Sequence, residues 1–241
     1  MAKVTGLSGN EIYCLALKQY SAGELVVGNS VNSMGCLGSL GAGLTNVLGG
    51  ELPQVTQAIH EGRAAALARL TEEASRQGAS GVAGVTGELR SFSGSTEFLF
   101  VGSCVHSKSP SERLFTSAGD AQELFCHMDA GYEPVQHVFG NVAYSIGVGG
   151  GILGSLKTLA RGESGNSATS SIIRHAALDR VVGEARRGRA NAVVGIRTTI
   201  QRWAGTHEMM MAGTAAFNTA LPASAIVTSD LTGEELWAMT S

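Results

Sequence analysis

Between residues 54 and 77, small or apolar side chains return at Val55, Ile59, Gly62, Ala66, Leu70 and Ala74, with charged and polar residues between them. Steps of three and four put all six on one face of a long helix, and Gly78 is placed to stop it in the left-handed conformation. A second stretch, about 167–188, has the same character, and Ile172, Ala176, Val181 and Ala185 are assigned to its inward face. The other apolar runs are short and bounded by turn formers. Residues 23–28 and 134–144 are expected strands, as are 80–90 with 96–106 and 191–201 with 206–217. The last two pairs turn at Ser93-Gly94 and Ala204-Gly205. Ser8-x-x-Glu11 and Thr232-x-x-Glu235 have the form of capping boxes, in which hydroxyl and carboxylate satisfy exposed helix N–H groups. Short helices are therefore expected at 8–19, about 120–130 and 231–239.

The order helix–β–α–β–β occurs twice because the chain repeats itself. At an offset of 112, Glu11 to Cys14 align with Glu123 to Cys126, Tyr20 with Tyr132, and Gly28-Asn29 with Gly140-Asn141. After a slip of one residue, Ala65-Ala66-Leu67 meets Ala176-Ala177-Leu178. In that register Arg69 and Glu73 meet Arg180 and Glu184, Val82 to Val85 meet Val193 to Ile196, and Glu97 and Gly102 meet Glu208 and Gly213. A third copy of the opening segment starts at Thr228 and is expected either to cap the second repeat or to dock on a neighbouring chain. The expected organisation is a first repeat at 1–107, a second at 108–222 and an extension at 223–241.

Composition narrows the class. In 241 residues the charged fraction is 15% and glycine occurs 33 times, respectively below and about twice the average of soluble domains. Such a surface suits burial against other subunits. A net charge of −3 offers no basic field for nucleic acid. The uncharged runs 25–50 and 138–156 are long enough to cross a membrane, but their glycine, asparagine and serine content argues against insertion. Four cysteines without C-x-x-C spacing and the lack of an apolar leader make a reduced, cytoplasmic protein the expectation.

Gly23 to Gly28, Val47 to Gly50 and Gly62 to Leu67 in the first repeat resemble the YbjQ family, commonly labelled a heavy-metal-binding domain. The second repeat resembles it through Ala190 to Ile196 and Met209 to Ala215, so the likeness spans about 22–106 and 134–217. It implies an α+β fold of two tandem β-α-β-β units, each similar to a dodecin subunit, and assembly into rings of five. Each unit is here preceded by a short helix, and a C-terminal helix follows. Five being odd, one five-membered ring cannot be built from whole two-unit chains. Five chains in two stacked five-membered layers are the favoured expectation, and three chains in a pseudo-sixfold ring the alternative.

Catalytic constellations are poor. Gly154 to Thr158 lacks the Gly-Lys-Ser/Thr of a phosphate loop, and Gly147 to Gly151 lacks dinucleotide-binding spacing. The charges repeated between units (Arg69 and Arg180, Glu73 and Glu184, Glu97 and Glu208) fit ion pairs at ring interfaces or solvated faces better than acid–base catalysis. His60 and His175 are assigned to interface or solvent. Met209 to Met211 are assigned to the core rather than to copper, since alternate strand residues face opposite ways. Among thiols the candidate soft-metal cluster is Cys126 with His127, joined by Cys14 at the equivalent place, although a buried cysteine also serves as a small hydrophobe. The expectation is a non-enzymatic, ring-forming scaffold or binding protein without a resident cofactor. It recruits a protein partner through its C-terminal helix, and its alternative role is to bind a soft metal or small ligand at subunit interfaces.

Overall fold

The computed structural model describes residues 4–33, 50–92, 95–109, 113–145, 165–203 and 206–222. Within them the helices are α1 (Gly9–Leu17), α2 (Pro53–Arg76), α3 (Ala121–Asp129) and α4 (Gly165–Arg187). The strands are β1 (Tyr20–Ser33), β2 (Gly50–Glu51), β3 (Gly81–Phe92), β4 (Ser95–Ser107), β5 (Phe115–Thr116), β6 (Glu133–Ser145), β7 (Ala192–Trp203) and β8 (Thr206–Phe217). The fold is α+β, with two four-stranded sheets ordered β1-β4-β3-β5 and β2-β6-β8-β7. The expected helix at 231–239, the glycine-rich connections and the turns at 93–94 and 204–205 lie outside the described residues. No helix among those described is long and apolar enough to cross a membrane.

Local chemistry accounts for several helix boundaries. The capping box forms at α1: Glu11 N–H donates to the Ser8 hydroxyl at 3.3 Å, and Ser8 N–H to the Glu11 carboxylate at 2.7 Å. Asp120 caps α3 by accepting from the N–H groups of Gln122 and Glu123. All six residues assigned to the inner face of α2 are buried, and Gly78 follows the helix at φ 66°. For α4 the assignment needs correcting. Ile173, Ala177, Val181 and Ala185 are buried, whereas Ile172 is 70% exposed and Ala176 only partly covered. The inward row keeps strict i, i+4 steps, so Ile172 and Ala176 sit about 100° round the helix from it. Met209 and Met211 pack in the second core, as expected, and Met210 is buried as well.

Two glycine pairs shared by the repeats have structural causes. Gly84 and Gly195 adopt φ 66° and 63° where the registers of β3 and β7 against their partners slip, the geometry of a glycine β-bulge. Gly28 and Gly140 lie under the helix backbones. A Cβ on Gly28 would come 2.1 Å from the carbonyl oxygen of Ala66, and one on Gly140 equally close to that of Ala177.

Candidate functional site

The chemistry of the described residues concentrates where the units meet. Two short strands absent from the sequence reading cross that boundary in opposite directions. β2, from the first unit, pairs with β6 through Gly50–Ser145 and Glu51–Tyr144. β5, which leads into the second unit, runs parallel to β3 through Gly81–Phe115 and Val82–Thr116. The units are therefore edge-to-edge neighbours, each completing the other's sheet.

β6 is consequently covered on both faces. Val138 and Val142 face α4 in the second core, while Phe139 and Ala143 join the core of the first unit beneath α2. Several polar groups in the joint are paired, while Arg63 Nη1, Asn141 Oδ1 and both His137 ring nitrogens are buried without partners. Thr56 accepts Ala143 N–H at 2.9 Å on its hydroxyl and the Asn141 side-chain amide at 3.0 Å on its carbonyl. Thr116 accepts His137 N–H at 2.7 Å, and Thr214 accepts Ala118 N–H at 2.9 Å. Glu51 pairs with Arg180 across the joint at 2.6 Å, while Glu123 and Arg197 pair at 2.5 Å within the second unit. At the centre, Arg63 donates twice to Glu208, from Nε at 3.2 Å and from Nη2 at 2.8 Å, with both side chains 1% exposed. Gln201 also donates to Glu208. A bidentate guanidinium–carboxylate pair holds both direction and distance, so it sets the angle between units as well as joining them.

Beside this pair lies a cleft of about 600 Å³ bounded by α2, the 113–116 segment, β6 and the end of α4. Its walls include Leu67, Arg113, Thr116, His137, Glu184 and Arg187. Glu184 accepts Phe139 N–H at 3.0 Å and lies 3.5 Å from His60 Nε2. Burial pushes its carboxyl above the ordinary range, against the opposing pull of that amide, His60 and Arg187. His137 is 4% exposed, its ring lies near Phe100 and Phe139, and neither ring nitrogen has a hydrogen-bond partner. Burial, aided by the Arg63 charge, lowers its pKa to about 4. The unfolded chain therefore takes up the proton first as the pH falls, so the stability carried by this neutral ring is complete above its ordinary pKa of 6.5 and drains between 6.5 and about 4. Acidification from pH 7 to 5 is expected to remove about 2 kcal/mol through His137. The raised Glu184 works in the opposite sense and is common to both proteins in the comparison. Urea melts at the two pH values, run on wild type and H137L, check this. The variant should lose the His137 share of the slope, and an unchanged slope would refute the assignment.

The residues singled out for metal do not gather. Cys14 is half-buried on α1, and Cys126 is exposed on α3. His127 faces Gly195 of β7, its Nδ1 buried without a partner. Adjacent helix residues point about 100° apart, and Cys126 and His127 accordingly differ in exposure. Among the described residues no group of three or more His, Cys, Asp or Glu side chains could hold a metal. His60 and the repeated charges Arg180, Glu184 and Glu208 do lie at the joint, whereas His175 bonds within its own helix turn to Ser171.

The same duplication governs the comparisons with known proteins. A family model described as "Putative heavy-metal-binding" matches twice, over residues 15–108 and 131–219. The chain belongs to the YbjQ family. Its relatives within and around that family come in two sizes. An encapsulin nanocompartment protein of Mycobacterium tuberculosis is 31% identical over 228 residues, which cover 88% of this chain and 85% of that protein. UPF0145 proteins of Methanococcus maripaludis and Thermus thermophilus are each 40% identical, over 86 and 90 residues. Those stretches cover 35% and 37% of this chain but 77% and 79% of the relatives, so each corresponds to a single YbjQ unit. No solved structure matches the chain.

Proposed function

We propose that this YbjQ protein is a non-enzymatic, self-assembling structural or binding protein whose two units form consecutive segments of a ring. The observation that carries this reading is the joint between the units. Exchanged strands, a shared core and a buried ion pair make a directional contact between two similar bodies, and repetition of such a contact generates a ring where its rotation closes and a filament where it does not. Its titratable groups support a structural role, being tied in ion pairs or, for His137, held neutral among aromatic rings. The name of the Mycobacterium tuberculosis relative supports a place in a protein compartment and hence in the cytoplasm.

Units joined in this way favour consecutive places in one layer with an even number of units over two stacked layers of five, which would put the two units of one chain in different layers. A helix at the Thr232–Glu235 capping box is proposed to recruit a protein partner. A second reading, small-ligand binding at the joint, draws on the cleft and the unpartnered His137 nitrogens within its wall. Native mass spectrometry of untagged protein prepared without chelator, with metal analysis of the same sample, tests these readings. The expected result is one species at a whole multiple of 24.8 kDa without stoichiometric metal. A monomer would defeat the assembly, and zinc or copper at one per chain would move the case to thiolate sites shared between chains.

A further inference from the structure

The joint inside the chain uses one side of each unit. The first unit gives α2 and the edge of β3, and the second gives the outer face of β6 and residues 115–118. Left over are α4 and the edge of β7 on the second unit, and the outer face of β1 with residues 4–6 on the first. These leftovers are counterparts of the joined surfaces, yet among the described residues they are far more exposed. Val27 is 41% exposed where its counterpart Phe139 is 2%, and Val31 is 52% exposed where Ala143 is 0%. On the opposite end, Ile196 is 42% exposed where Val85 is 2%.

The backbone is already set for the missing contact. Gly6 N–H donates to the Ser103 hydroxyl at 3.1 Å, just as Ala118 N–H donates to Thr214. Residues 4–6 thus lie on their own sheet as 116–118 lie on theirs. In the joined copy the opposite edge of that segment bonds to β3, with Ser117 N–H donating to the carbonyl of Val82 and Val85 N–H to that of Ser117. The charges repeat as well. Arg63 corresponds to Arg174, which is exposed, and Glu208 to Glu97, which is half-buried beside the Asn29 amide.

We propose that a second copy of this chain docks head to tail, its α4 and β7 edge covering the β1 face and residues 4–6 of the first, with Arg174 of one copy bonded to Glu97 of the next. The contact between chains then reproduces the contact within the chain. This inference rests on the self-assembly reading above and deepens it by naming the surfaces. The occupant is a second copy because the faces left open need partners shaped like α2 and β3, and α4 and β7 are those partners. Leu25, Val27 and Val31 together make an exposed apolar strand face, a feature that marks an interaction surface when contiguous.

Charge reversal tests it on the full chain. R174E and E97R, each at a position outside the cores, are expected to fold as wild type by circular dichroism but to run at 24.8 kDa in native mass spectrometry. V27K, on the open β1 face, is expected to do the same. Mixing R174E with E97R is expected to restore oligomers, because native charges then meet at one contact and reversed charges at the next; alternation returns the wild-type mass if the ring holds an even number of chains and other multiples of 24.8 kDa if it holds an odd number. If wild type is oligomeric and the three variants keep its mass, other surfaces or the chain's own remaining residues cover these faces; the inference falls and the assembly reading stands. Variants that stay monomeric on mixing also overturn it. A monomeric wild type removes both.

Discussion

E208A is expected to cost about 3–5 kcal/mol of unfolding free energy, because it strands the Arg63 guanidinium in a site where that side chain is 1% exposed. An isolated buried cation cannot be hydrated without opening the joint, so the loss should appear as separation of the two units before either sheet unfolds. Replacing both partners with apolar residues, as in R63M/E208L, removes the stranded charge together with the desolvation that the pair required. That variant is expected to recover most of the loss. Urea unfolding followed by circular dichroism, with limited proteolysis in the 108–113 region, distinguishes these states. A cost below about 1 kcal/mol for E208A would mean that the pair behaves as a surface ion pair and does not hold the units together.

The second large effect is expected from a single methyl group. In G28A the new Cβ would meet the carbonyl oxygen of Ala66 at 2.1 Å and the amide nitrogen of Leu70 at 2.3 Å. These are backbone atoms in the middle of α2, so no side-chain rotation relieves the contact and the whole helix must lift from the sheet. Overpacked cores commonly lose 1–3 kcal/mol, and a rigid backbone contact belongs at or beyond the upper end of that range. α2 also carries Thr56 and Arg63 into the joint, so G28A is expected to weaken the union of the units along with the first core. G140A should injure the second core in the same way while leaving α2 seated. Thermal melts of the two variants check this: G28A and G140A should both melt well below wild type. A melting temperature within a degree or two of wild type for either would show that its helix can shift freely.

Why these glycines recur in both repeats was visible in the sequence only as a coincidence of position. The repeat, the face of α2 and the hairpins were legible because they depend on local periodicity and capping. Val55 to Ala74 marked the buried row of α2 correctly. The face of α4 was misassigned because Ile172 and Ile173 are adjacent and both apolar, and only the packing selects between them. The joint was harder to read. β2 and β5 are two residues each, too short for any alternation to register. Their pairing depends on chain segments brought together from opposite units. One signal was available. Leu25, Val27 and Val31 on one face of β1, with Val26 on the other, make a strand apolar on both sides, and so do Val138, Phe139 and Val142 in β6. Such a strand needs cover on two faces, whereas each unit supplies a single long helix. The metal candidates were chosen by residue type and sequence adjacency, and on a helix adjacent residues point about 100° apart, so Cys126 and His127 would need ligands from elsewhere.

Duplication has let the two halves of the joint drift apart in chemistry. The cleft within the chain is walled by His137 and Phe139, while the corresponding positions on β1 are Leu25 and Val27. In a closed assembly of identical chains, imidazole-bearing clefts and aliphatic ones would therefore alternate around the circumference. A ligand that recognises the imidazole would saturate at one molecule per chain, half the number of clefts, and its occupancy would report how many polypeptides the ring contains.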